Sequence, residues 1–285
     1  MKVLKFGGTS VANSKSLEKV LEIIKKQNDS VVVVVSALGG VTDLLMGMLS
    51  LAKSRNDNYK SNLSKIEELH LEPIKKCIPI QNQSAIISYL KKHLNELESR
   101  LDAIFLLEEV TIKNNASVAS YGEILSSNII HEVFKYNKID SELKDARELI
   151  RTSTLNGMEV VNEDVTDQQI KNYFSKNKSR VVIVPGFIAS NKSGVTTTLG
   201  RGGSDYSAAI IANSIEADIF EIWTDVSGIF TAHPKIVTQA KPIKKLSYYE
   251  AMELSHFGAK VIYPPTLQPI IEKDIPIVVK NTFAP

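Results

Sequence analysis

Three glycine-bearing turns carry the residue types that handle anions. The first, Lys5-Phe6-Gly7-Gly8-Thr9-Ser10, has a lysine ahead of two adjacent glycines and two hydroxyls after them. The second, Leu199-Gly200-Arg201-Gly202-Gly203-Ser204-Asp205-Tyr206-Ser207, joins flexible backbone to a fork-shaped cation, a carboxylate and hydroxyls. The third, Ser36-Ala37-Leu38-Gly39-Gly40-Val41-Thr42, ends a run of valines. Backbone N–H groups exposed where a strand turns into a helix receive phosphate oxygens, and glycine lets the backbone come close. Three such turns on one sheet edge would surround a polyanion. Each also has a plainer reading. Paired glycines after a strand make a tight turn, residues 199–207 fit a hairpin loop capped by Ser204, and neither the dinucleotide fingerprint nor the P-loop spacing is matched.

Two further segments add chemistry. Trp223-Thr224-Asp225-Val226-Ser227-Gly228-Ile229-Phe230 comes directly off a strand and offers Thr224 and Asp225 to a ligand, or equally closes an Asx-type turn. His256-Phe257-Gly258-Ala259-Lys260 puts Lys260 just past a helix end, where a lysine ordinarily only complements the dipole. His233, outside any cluster, reads as a solvated loop residue.

The elements that must position these residues alternate. Val3 to Phe6 is a strand, and Ser14 to Gln27 an amphipathic helix behind an Asn13/Ser14 cap, with Leu17, Val20, Leu21 and Ile24 at helical spacing. Val31 to Val35 is an unbroken apolar run, as in a parallel strand buried on both faces. From about 41 to 114 the pattern is helical, with Leu63, Ile66, Leu69, Leu90, Leu94, Leu97 and Leu101 on one stripe, broken near Pro73 and Pro79, and reads as a helical insertion or lid. Strands recur at Ile139 to Leu143, Val181 to Val184, Ile219 to Thr224 and Ile275 to Val279, separated by helices such as Ser204 to Ser214 and Tyr248 to Phe257. The expectation is an α/β three-layer sandwich: a mainly parallel sheet with helices on both faces.

Bulk properties narrow the partners. The 285 residues allow one large domain or two lobes, and one α/β unit is expected. With 34 basic and 32 acidic residues the formal charge is +2, which argues against a general nucleic-acid or acidic-lipid surface. At 43% hydrophobic the chain has no run resembling a membrane span. A single cysteine, Cys77, and the absence of a signal-peptide pattern predict a reducing, cytoplasmic setting. The ending Lys280-Asn281-Thr282-Phe283-Ala284-Pro285, with no helix or cap after a strong strand, predicts a longer parent polypeptide.

The motifs Lys5-Phe6-Gly7-Gly8-Thr9-Ser10, Ser120-Tyr121-Gly122-Glu123, Thr198-Leu199-Gly200-Arg201-Gly202-Gly203-Ser204-Asp205-Tyr206, Ile222-Trp223-Thr224-Asp225-Val226 and Phe257-Gly258-Ala259-Lys260 occur in the order seen in aspartokinases. The resemblance runs the length of the chain. Carbamate, acetylglutamate and uridylate kinases share the fold and the early glycines, but the combination resembles aspartokinases in particular. Residues 250–260 and the ending Val279-Lys280-Asn281-Thr282 further resemble the kinase portion of bifunctional aspartokinase/homoserine dehydrogenases. The resemblance implies the amino acid kinase (carbamate kinase-like) fold. It also implies a single catalytic domain over 1–285, with regulatory and any dehydrogenase domains following in a homo-oligomeric parent.

It further implies ATP-dependent phosphorylation of the side-chain carboxylate of L-aspartate, the first step towards lysine, threonine and methionine. Lys5 and the amides of Gly7 and Gly8 would hold the transferring phosphoryl, and Lys260 the nucleotide phosphates. Arg201 would grip the substrate α-carboxylate and Glu123 its ammonium, with Ser36, Thr42 and Ser204 as hydroxyl donors. Asp205 would organise the two lysines or a magnesium-bound water. Thr224, Asp225, Phe230 and Lys235 correspond to the nucleotide loop, and Mg²⁺ would be held through the phosphates, with no protein metal cage. Phe230 replaces the usual tyrosine, His233-Pro234-Lys235 the usual aspartate-proline-arginine, and Tyr263 a common histidine. Two rivals are an acetylglutamate or glutamate kinase of the same fold, and a nonenzymatic nucleotide-binding module.

Overall fold

The structure, a computed structural model, describes residues 1–285 except 156, 233–235, 257–261 and 265–266. The chain begins with β1 (Lys2–Phe6), a 3-10 turn (Gly8–Val11), α1 (Ser14–Lys25) and β2 (Val31–Val35). Asn13 caps α1, its side chain accepting from the Ser16 N–H, which satisfies one of the orphan donors of the first turn. Four helices follow, α2 (Val41–Lys53), α3 (Tyr59–Cys77), α4 (Gln83–Leu107) and α5 (Ile112–Tyr136), then β3 (Ser141–Leu143) and α6 (Ala146–Leu149). The remainder is β4 (Arg151–Leu155), β5 (Met158–Val161), α7 (Glu163–Phe174), β6 (Val181–Pro185), β7 (Ile188–Asn191), β8 (Thr196–Thr198), α8 (Gly203–Ser214), β9 (Ile219–Thr224), α9 (Tyr248–His256), α10 (Leu267–Ile271) and β10 (Ile277–Asn281).

Six strands form one sheet in the order β10-β9-β1-β2-β6-β3, every pair parallel. Strand side chains alternate between faces, and the alternation sorts the core into two layers. Leu4, Phe6, Val31, Val33, Val35 and Ile183 face α1 to α5, while Val3, Val32, Val34, Val182 and Ile222 face α6, α8 and α10. The expected three-layer α/β sandwich is the observed one. A second sheet, β5-β4-β7-β8, is of mixed direction and stands apart from the first. No described helix is long and apolar enough to cross a membrane.

Several expectations shift. The last strand runs Ile277–Asn281, because Pro276 has no N–H to give the ladder, although its carbonyl accepts from Phe220 N at 2.9 Å. The strand expected from Ile139 begins at Ser141. Pro73 does not break its helix: α3 passes through it, since Ile66, His70, Pro73 and Ile74 are all buried and their packing outweighs the lost backbone bond. The break falls at Ile78–Pro79. The helical stretch extends past 114 to Tyr136, with α5 starting at Ile112.

Candidate active site

Lys5 lies on the β1 face shared with Val3, the face that α8 covers, near the strand's carboxyl end. Its ammonium meets Asp205 Oδ1 at 2.7 Å, an ion pair without hydrogen-bond alignment. Asp205 is there because it sits in the first turn of α8, entered through Gly202 at φ 67°, a conformation that favours glycine. A Cβ on Gly202 would also run into the Tyr263 ring, so this turn needs glycine for space as well. Ser204 is inside the helix and makes no cap bond, which removes the hairpin-cap reading.

From the opposite layer α5 presents Glu123, 3% exposed. Its Oε1 accepts from Ala37 N at 3.2 Å and its Oε2 has no partner among the described residues. Burial pushes this carboxyl up to about 8, against the lowering effects of the Ala37 N–H and of Lys5. The group is therefore a buried, half-satisfied acid that faces a cavity.

Lys5, Glu123, Arg201, Ser204 and Asp205 line one cleft of about 570 Å³ at the carboxyl ends of β1 and β2, with Gly8, Ser36, Thr42 and the glycines of all three turns' neighbourhoods. Open α/β sheets bind ligands at that edge. Ser36 is tied by its N–H to Phe6 O at 3.2 Å and by its carbonyl to Ser126 Oγ at 2.8 Å. Arg201 and Thr42 are exposed, with no partner recorded for either guanidinium or hydroxyl among the described residues.

The two glycines of the first turn differ. Gly7 N–H donates to Trp223 O at 3.1 Å, so it is not available to a phosphoryl group; Gly8 N–H, at the start of the 3-10 turn, has no partner among the described residues. A Cβ at Gly7 would make only ordinary contacts, 3.7 Å from Lys5 Nζ and 3.8 Å from Trp223 O, whereas one at Gly8 would lie 3.0 Å from the Ala37 carbonyl. The expectation of two amide donors is thus corrected to one.

The nucleotide-loop candidates are outside the cleft but beside it. Register pairs Phe6 with Trp223, which puts Thr224 next to Gly7. Thr224 Oγ1 donates to Asp225 Oδ1 at 3.1 Å, and half-buried Phe230 bridges Pro242. Lys235 and Lys260 lie outside the described residues. Among the described residues no three His, Cys, Asp or Glu side chains group as metal ligands.

Cleft residues not singled out from sequence are Asp43, Met46, Asn115, Ala119 and Phe187. Phe187 is at φ 66°, held by its N–H to Ser207 Oγ at 2.9 Å and by its carbonyl from Leu199 N at 2.8 Å. Its signal was Pro185-Gly186-Phe187 directly after an apolar parallel strand; a left-handed phenylalanine there stores strain beside the cleft. A second cavity of about 490 Å³ lies behind α5. There Arg147 is closed on Asp145 and Thr196, and Lys144 on Glu148.

Similarity points the same way as geometry. The model of the amino acid kinase family matches residues 1–281. An aspartokinase of Chlamydia pneumoniae is 38% identical over 99% of this chain and 60% of its own length. A chloroplastic bifunctional aspartokinase/homoserine dehydrogenase 1 of Arabidopsis thaliana is 35% identical over 99% of this chain and 31% of its own length. The chain therefore spans about a third to three-fifths of these relatives. Among solved structures, Escherichia coli aspartokinase III in complex with aspartate and ADP superposes with a TM-score of 0.89 at 31% identity, over 99% of this chain and 62% of that one. With a family match across nearly its full length and the glycine-turn cleft at the sheet edge, the chain belongs to the amino acid kinase family.

Proposed function

We propose that this chain catalyses phosphoryl transfer from ATP to the side-chain carboxylate of L-aspartate, giving 4-phospho-L-aspartate and ADP. The observation that carries the reading is one cleft holding a strand-end lysine, an arginine fork and a buried carboxylate whose Oε2, like the fork, has no partner among the described residues. A free amino acid has two charges to grip besides the reacting group. Arg201 suits the α-carboxylate, since its planar fork can bind bidentately, and Glu123 suits the ammonium. The relatives named aspartokinase, and the bound aspartate and ADP of the E. coli enzyme, support the same assignment.

In the step, a side-chain carboxylate oxygen of aspartate forms a bond to the γ-phosphorus as the bond to the β,γ-bridging oxygen breaks, and that electron pair leaves with ADP. The carboxylate is already ionised at neutral pH, so no general base is needed. Catalysis is then positioning and charge neutralisation. Lys5 and the Gly8 N–H stabilise the charge that gathers on the transferring group, while Asp205 holds the Lys5 ammonium in place. Thr224, Asp225 and Phe230 border the nucleotide, and Lys235 and Lys260 are proposed to hold its phosphates.

Mg²⁺ is proposed to arrive on the phosphates. Asp205, whose Oδ1 faces the Lys5 ammonium at 2.7 Å, would make at most an outer contact to metal-bound water rather than a cage, as a hydrated Mg²⁺ prefers. When bound, the ion neutralises phosphate charge.

The test is ADP release, checked by hydroxamate trapping, with aspartate, glutamate and N-acetylglutamate, on the chain and on Lys5→Ala. Aspartate turnover lost in Lys5→Ala supports the reading. Turnover of N-acetylglutamate without aspartate identifies the rival kinase, and nucleotide binding without turnover of any of the three identifies a nonenzymatic module.

A further inference from the structure

The corrected role of Gly7 leaves a question: what fixes the glycine turn, if its first amide faces away from the phosphoryl group? Trp223 O, the acceptor of Gly7 N–H, also accepts from Ser10 Oγ at 3.2 Å. Ser10 Oγ lies 2.7 Å from Thr282 Oγ1. With the only proton of Ser10 committed to Trp223 O, Thr282 donates to Ser10. The order is Thr282 hydroxyl, Ser10 hydroxyl, Trp223 carbonyl, Gly7 amide, four groups drawn from three separate stretches of the chain.

Both side chains are fully buried, at 0% exposure. Buried hydroxyls cost free energy unless paired, and an alanine–valine pair would fill similar space without that risk. The chain nonetheless places two hydroxyls here, fully satisfied. Thr282 reaches a second strand end as well, its N–H donating to Thr224 O at 2.8 Å. The segment after β10 is thus bonded both to the glycine turn behind Lys5 and to the strand end carrying Thr224. Trp223 itself is held at its other end, its Nε1 donating to Glu221 Oε2 at 2.8 Å while its ring stacks on Phe6 at 5.9 Å between centroids.

We propose that Thr282 and Ser10 are positioning residues for the phosphoryl transfer: a hydroxyl relay that locks the Trp223 carbonyl and, through it, the Gly7–Gly8 turn in register with the nucleotide strand. The proposal rests on the phosphotransferase reading above. Neither side chain lines the cleft, so the relay acts on the geometry of the Gly8 donor and Lys5 rather than on substrate contacts. Its loss should appear in kcat and leave ground-state binding in place.

The experiment compares the chain with Thr282→Val, Thr282→Ser, Ser10→Ala and the double variant Ser10→Ala/Thr282→Val. In Thr282→Val, kcat should fall about ten-fold with KM for aspartate and ATP within about two-fold, the pattern of an interaction felt in the transition state. Thr282→Ser should restore most of the rate, and the double variant should lose no more than the worse single one, because the relay works as a unit. Amide hydrogen exchange over residues 7–11 should quicken in Thr282→Val at an unchanged melting temperature. Unchanged kcat, or a loss that tracks melting temperature and is not restored by serine, overturns the relay. If the parent chain phosphorylates none of the carboxylates, the activity reading falls, and exchange at residues 7–11 still decides: faster exchange keeps the relay, unchanged exchange removes it.

Discussion

The Lys5 ammonium stands 2.7 Å from Asp205 Oδ1, a strand end meeting the first turn of a helix that covers it. Both side chains are largely buried, so the pair is screened weakly and its geometry is fixed by two core elements. In the proposed transfer the γ-phosphoryl would share or displace this carboxylate, and Lys5 would turn its charge to the transferring group without leaving its place.

Replacing each member should separate the roles. Lys5→Met should reduce kcat by about a thousand-fold or more, as expected when a cation aimed at transition-state charge is lost. Asp205→Asn should cost less, about ten- to a hundred-fold, because the ammonium remains but is no longer oriented. The pH profile of the residual rate should keep its shape in Asp205→Asn. A profile that loses an ionisation there would make Asp205 a base and would overturn the positioning role.

Glu123 predicts a pH dependence of substrate binding. Its carboxyl is pushed up to about 8 by burial, so at pH 7 the empty cleft holds it mostly neutral. An ammonium beside it favours the ionised form, so aspartate binding below pH 8 should release a proton. Apparent affinity should rise with pH and level off above about 8. Glu123→Gln should bind aspartate more weakly and show no such rise. Calorimetry in buffers of different ionisation enthalpy measures the proton directly.

The same shift has a stability sign. The folded value lies above the ordinary 4.5, so the neutral form stabilises the fold fully below 4.5 and that contribution is lost as pH rises through about 8. Glu123→Gln, which cannot ionise, should therefore gain melting temperature relative to the parent as pH is raised from 5 to 9. A constant difference across that range would sink the assignment of burial as the cause.

The first sheet was legible because its strands are apolar runs that only double-sided burial explains, Val31 to Val35 above all. The second sheet was not: Arg151-Thr152-Ser153-Thr154-Leu155 and Thr196-Thr197-Thr198 are short, polar and without apolar alternation, and only their β-branched threonines hinted at strands. In the site, Lys5, Arg201 and Asp205 stood out through the glycines around them. Glu123 needed the family pattern, since a carboxylate inside a helix announces nothing until burial strips its water. Gly7 misled because sequence does not show that the carbonyl of a neighbouring strand, Trp223 O, takes its amide. Phe187 was hidden in its backbone angle.

Two glycines with opposite surroundings test how tightly the cleft is built. A Cβ on Gly186 would lie 2.7 Å from Ser204 Cβ and 2.8 Å from Ser204 Cα, atoms that cannot swing aside. Gly186→Ala should destabilise by about 1–3 kcal/mol, as overpacking does, and raise KM for aspartate by moving Ser204. Gly47, inside α2, has only Asn62 Nδ2 at 3.8 Å. Gly47→Ala should stabilise by about 0.5–1 kcal/mol through helix propensity alone, with kinetics unchanged. Denaturant midpoints together with aspartate KM for both variants check the contrast.

His70 sets the acid limit of the helical layer. It is fully buried in α3, its Nδ1 donates to Ile66 O at 2.7 Å, and its Nε2 has no partner among the described residues. Burial pushes the imidazole down to about 4, against the raising effect of the Ile66 carbonyl. Because the folded value lies below the ordinary 6.5, the neutral ring's contribution is fully present above 6.5 and is lost as pH falls towards 4. Protonation in place would bury a charge with Nε2 unpaired among the described residues, so the layer should open instead. The urea midpoint of the parent should drop across this interval, and that of His70→Leu should drop less, even if it starts lower from the lost hydrogen bond. Equal slopes in the two proteins would assign the acid sensitivity to other groups.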